Sequence, residues 1–104
     1  MRELIEKVKI WGAEKGITGN GKSALFMRRK QADKTDEELS ELFEAIMSED
    51  EAEAKDAIGD IIVTLIMQAE WWDTDIEECL ELAYNVISKR KGKMIDGQFV
   101  KETA

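Results

Sequence analysis

DAIGDIIVTLIMQAE, residues 56–70, decides the fold. From Ala57 through Ala69 its apolar side chains are interrupted only by Gly59, Asp60, Thr64 and Gln68, a run too long for one ordinary strand. A helix from Asp50 to about Trp72 fits instead, and a helix apolar nearly all round should lie centrally, against more than one neighbour. Asp60 is then informative. A carboxylate inside such a helix needs a solvent-filled cleft, or pairing with charge, hydrogen bonds or metal.

Working outward, residues 2–15 place Leu4, Ile5, Val8 and Trp11 on one stripe of a short amphipathic helix. GITGNG at 16–21 reads as a loop. From Lys22 to about Met47 the expectation is helix, with Leu25, Ala32, Leu39, Leu42, Phe43 and Ile46 tending to its inner side. Thr35 with Glu38 matches a capping box, so that helix could instead start or restart at Asp36. After WWDTD, Thr74 or Asp75 can cap a last helix to about Arg90, with Ile76, Cys79, Leu80, Ala83, Val86 and Ile87 at helical intervals. KMIDGQFVKETA then reads as an extended tail or a small hairpin about Asp96-Gly97, its apolar residues clamping onto a helix or a partner. The expected architecture is all-α, a four-helix bundle-like single domain over 1–104 with a short C-terminal tail.

Composition narrows the chemistry. The 104 residues include no histidine, which removes the usual neutral-pH acid/base and the imidazole metal ligand. Lone Cys79 excludes an intrachain disulfide or a multi-cysteine metal site, and is expected as a small buried apolar residue. A net charge of -8 opposes binding to duplex nucleic acid or an anionic membrane. No run approaches the roughly 20 apolar residues of a membrane span, and MRELIEKVKIW is too polar for a signal peptide, so a cytoplasmic protein is expected. A compact domain of this length has a radius of gyration of about 13 Å.

Two patterns could carry function. GITGNGKS at 16–23 satisfies the phosphate-loop expression letter for letter. A working phosphate loop joins a strand to a helix, whereas here an amphipathic helix precedes it, so a coincidental loop is expected, with Lys22 free to touch phosphate in another setting. The second pattern is carboxylate spacing: Glu38 and Glu41 at i,i+3, then Glu53, Asp56 and Asp60 at i+3 and i+4 steps. Two antiparallel helices bearing such faces could converge oxygens on one or two Mg²⁺ ions (Mn²⁺ being an alternative), against the simpler reading of a solvated acidic face. Such a metal could activate water and stabilise charge at phosphorus without histidine.

DEELSELFEAI at 36–46, DAIGDIIVTLIMQAE at 56–70, ECLELAYNVISKRKGKM at 78–94 and DGQFVKE at 96–102 together resemble, in order, the small MazG-like nucleotide pyrophosphohydrolases of the all-α NTP pyrophosphatase superfamily, compact phage or mobile-element members above all. The resemblance implies Mg²⁺-dependent cleavage of a nucleoside triphosphate to the monophosphate and pyrophosphate, by a homodimer or homotetramer whose subunits share sites. It makes Glu38 and Glu41 the first ligand pair and Asp60 the aspartate of the second. The glutamate expected three residues before Asp60 is Ala57, so Asp56, one turn from Asp60, is the replacement favoured here, with Glu53 or Glu37 behind it. Asn85, Lys89 and Arg90 are implied to meet sugar and phosphate, while cationic side chains also simply suit a helix C-terminus. Trp11, Trp71 and Trp72 could stack on a base or fill core and interface. The competing reading is a noncatalytic nucleotide-binding or protein-interaction module that kept the fold and lost a ligand at Ala57.

Overall fold

The computed structural model describes residues 1–19 and 21–102. In order it contains helices α1 (Arg2–Glu14), α2 (Ala24–Ser48), α3 (Glu51–Glu70) and α4 (Ile76–Ile87), then strands β1 (Gly92–Ile95) and β2 (Gln98–Lys101). The architecture is all-α apart from that small antiparallel ribbon.

Local chemistry sets the boundaries. Ser23, last residue of the phosphate-loop lookalike, is the N-cap of α2, its hydroxyl accepting from the Phe26 amide at 3.3 Å. The loop follows helix α1, and the only described strands are the C-terminal pair, so no α/β nucleotide-binding unit surrounds it. No restart occurs at Asp36: α2 is continuous, and Thr35 points its hydroxyl at the Gln31 carbonyl and the Thr64 hydroxyl rather than at an amide beyond it. Glu49, left-handed at φ 54°, ends α2 as the Asp50 amide returns to the Ala45 carbonyl at 2.9 Å. Asp50 and Asp75 cap α3 and α4, accepting from the amides of Glu53 and Glu78.

α3 is central, touching α1, α2 and α4, while α4 approaches neither α1 nor α2 closely along its backbone. The turn at 49–50 makes α2 and α3 an antiparallel hairpin. Its inner seam on α2 follows 24, 28, 31, 35, 38, 42 and 45, a spacing of four and three. The seam is polar and small: Gln31, Ala45, Ala57 and Thr64 are buried, whereas Leu25, Leu39, Phe43 and Ile46, expected inside, are exposed. Ala45 and Ala57 fill the seam with small side chains, and the hydroxyls of Thr35 and Thr64, 2.7 Å apart, satisfy the polarity. The larger apolar side chains of α2 therefore point away. On the other side of α3, Ile5, Ile66 and Met67 form the small core with Val8, Ile17 and Ile76 around it. Gly12 makes room here for the buried Met67 thioether, which would have to shift to admit a side chain at position 12.

The far end of α3 is tied down by polar contacts. Arg28 stacks over Trp72 at 3.8 Å and donates to the Trp71 carbonyl, and Gln68 donates to the Arg28 carbonyl at 2.8 Å. Trp71 donates to the Ile17 carbonyl and secures the α1–α2 loop, a role separate from that of Trp72.

No residue of α4 is fully buried, and only Ile76 at its start packs against the core, although apolar residues recur along the helix. Cys79, expected inside, is exposed for this reason: α4 meets α3 only near its start, through Ile76, and the rest of the helix stands open. The tail forms the expected hairpin, with Asp96 and Gly97 both at positive φ as a two-residue turn of this hand requires, and Met94 opposite Phe99. It does not clamp onto a helix of its own chain, and every strand residue is exposed. The radius of gyration is accordingly 16.3 Å rather than the compact-domain value. No helix among the described residues is long and apolar enough to cross a membrane.

Candidate metal centre

The antiparallel α2–α3 register places 28 opposite 68, 35 opposite 64 and 38 opposite 60. One turn beyond the paired threonines, carboxylates replace hydroxyls. Glu38 and Glu41 from α2 and Asp60 from α3 each offer an oxygen, all within 4.8 Å of one another. Glu38 and Asp60 are half-buried and Glu41 is exposed, which leaves one side open to solvent.

Glu38 responds to this crowding. Its carboxyl is pushed above the ordinary range, first by the neighbouring Glu41 carboxyl with which it can share a proton, then by burial, then by the charges of Glu41 and Asp60; Lys34 pulls the other way. Its Oε2 atom is buried with no hydrogen-bond partner. A hard divalent cation would answer both features, because it accepts carboxylate oxygens and cancels their repulsion. The donor set holds only oxygen, which suits Mg²⁺ or Mn²⁺ over softer metals.

Of the anticipated ligands, Glu38, Glu41 and Asp60 come together. Asp56 and Glu53 lie outside that group, exposed on α3, and Glu37 is exposed and bonded to Lys34. Ala57, at the position of the missing glutamate, is 1% exposed and packed into the seam. Asn85 on α4, with Lys89 and Arg90 just past its end, is exposed, and α4 makes no close approach to α2; one chain thus does not bring these residues to the carboxylates. Lys22 lies in the exposed loop beside Gly16, and Trp11 is on α1, which meets α3 and not α2.

Two features escaped the sequence reading. Lys34 precedes Glu38 by one turn and feels Glu37, Glu38 and Glu41, a placement that its i,i+4 spacing could have revealed. The Thr35–Thr64 bond joins residues 29 apart, and no local pattern announces it. Compared with protein-family models, curated proteins and solved structures, the chain matches none.

Proposed function

We propose that this protein is a divalent-metal-dependent nucleoside triphosphate pyrophosphohydrolase, releasing pyrophosphate and a nucleoside monophosphate. The observation that carries the reading is the group Glu38, Glu41 and Asp60, within 4.8 Å and including a buried, unpartnered Glu38 oxygen. A hard divalent cation would neutralise such a group, and the order of acidic helices resembles MazG-like enzymes of the all-α NTP pyrophosphatase fold. Bound Mg²⁺ or Mn²⁺ would supply charge neutralisation at phosphate and activation of water. Glu38, Glu41 and Asp60 would hold and orient that cation, and Glu41, the exposed member, would take the proton released by the attacking water. Asn85, Lys89 and Arg90, remote from the carboxylates of their own chain, serve the nucleotide from a second copy in a homodimer or homotetramer. The intended setting is the cytoplasm.

The test is incubation with each common dNTP and NTP and Mg²⁺ or Mn²⁺, followed by separation of products. At least one should yield monophosphate and pyrophosphate, and no turnover across the set would sink the assignment. Asp60→Asn should lower turnover roughly 100-fold or more, the equivalent of several kcal/mol of lost charge stabilisation.

A second reading, a noncatalytic nucleotide-binding or protein-interaction module, draws on one observation. Ala57 has become a packing residue of the seam, so the position of the absent ligand now serves helix contact. Nucleotide binding without turnover would favour it.

A further inference from the structure

The exposed surface exceeds that of a compact folded monomer of this size. A folded monomer of 11.8 kDa exposes about 5,900 Å² by the usual scaling, and this chain exposes 8310 Å². The excess of roughly 2,400 Å² exceeds the ~800 Å² per partner of a standard interface and reaches the range of obligate homo-oligomers.

Much of this surface is organised. α3 carries a second seam, Ile58, Ile62 and Leu65 above the buried Ala69, continued by Trp72 just past the helix end and rotated from the seam that meets α2; α4 carries Ile76, Leu80, Ala83 and Ile87. Both follow the four-three spacing of helices that pack side by side. Between them lies an apolar groove of about 780 Å³, lined by Ile62, Leu65, Ala69 and Trp72 on one wall and Ile76 and Leu80 on the other. Its polar rim is already engaged: Arg2 is bonded to Glu77, and Gln68 to the Arg28 carbonyl and to Trp72. With these polar groups engaged and the walls built of apolar side chains, the groove suits an occupant that presents an apolar face.

We infer that the α3–α4 groove receives α4 of a second copy, in a two-fold arrangement in which each copy's α4 seam fills the other's groove. Groove and occupant are both present on this chain, which is the self-complementarity a two-fold interface demands. The inference rests on the homo-oligomeric part of the reading above and on none of its chemistry. It assigns the face.

Sedimentation of the full chain tests it, together with the reactivity of Cys79, which also lines the groove. The wild type should sediment at a multiple of 11.8 kDa. Leu80→Glu, at a position 69% exposed in the single chain, should keep its helical circular dichroism and weaken association roughly 100-fold or more. Met47→Glu, 84% exposed on α2, should leave the mass unchanged. Should Leu80→Glu misfold, the wild type still decides: Cys79 should react with a thiol reagent about tenfold more slowly when concentrated than when diluted below the association midpoint. A monomeric wild type overturns the inference. So does an oligomer in which Cys79 reacts at one rate at every dilution, or whose mass responds to Met47→Glu and not to Leu80→Glu. Turnover enters none of these readouts, so failure of the hydrolase assignment would be seen separately.

Discussion

Glu38 titrates against its neighbours, and its stability contribution has a definite sign. A carboxyl that holds its proton more tightly in the folded than in the unfolded chain stabilises the fold below the ordinary carboxylate range. That contribution is lost as pH rises through the raised value. Glutamine at 38 has no such titration. In metal-free buffer, Glu38→Gln should therefore gain stability relative to wild type as pH rises from about 4 to neutrality, measured by denaturant unfolding. Excess Mg²⁺ should cancel that gain, because the cation stabilises the ionised wild type alone. A difference between the two proteins that is flat with pH would show that Glu38 is not under this repulsion. Asp60 was legible in the sequence because a charge stood inside an apolar run. The burial of Ala57 was not, since an alanine suits either face of a helix.

At the scale of elements, Ser23 separates two meanings of GITGNGKS. As the cap of α2 it satisfies the Phe26 amide. Ser23→Ala should cost about 1 kcal/mol in thermal or chemical unfolding and leave metal affinity unchanged, while Ser23→Asp should retain stability. A loss of metal affinity in Ser23→Ala without loss of stability would restore the phosphate-loop reading. The helices themselves were legible from periodicity, and the cap of α4 from residue type, as Thr74 or Asp75; the caps at Ser23 and Asp50 were not read. The inner face of α2 was misjudged because its apolar stripe and its seam with α3 point in different directions. Hydrophobic periodicity marks the face that seeks a partner, and here the strongest apolar residues, Phe43 and Ile46 among them, are not the ones against α3.

For the whole molecule, the small core formed by Ile5, Ile66 and Met67 contrasts with the exposed length of α4 and the hairpin. A two-stranded ribbon is marginal alone, and so is an unpacked helix of 12 residues. If association supplies the missing burial, unfolding must depend on protein concentration. Raising the concentration a hundredfold should raise the thermal midpoint by several degrees, read by scanning calorimetry. A midpoint that ignores concentration would mean that the single chain is self-sufficient.

The sequence by itself determined which segments are helical, where the loop and the C-terminal turn fall, that α3 is central and that acidic residues recur one turn apart. These properties are written in spacing and local backbone chemistry. Tertiary structure alone decided that Glu38, Glu41 and Asp60 share one space while Asp56 stays outside, that a polar seam joins α2 to α3, and that α4 stands open. Helical spacing specifies a face up to rotation about the axis. Which face meets which neighbour depends on the summed fit of small, polar and apolar side chains across residues distant in the chain.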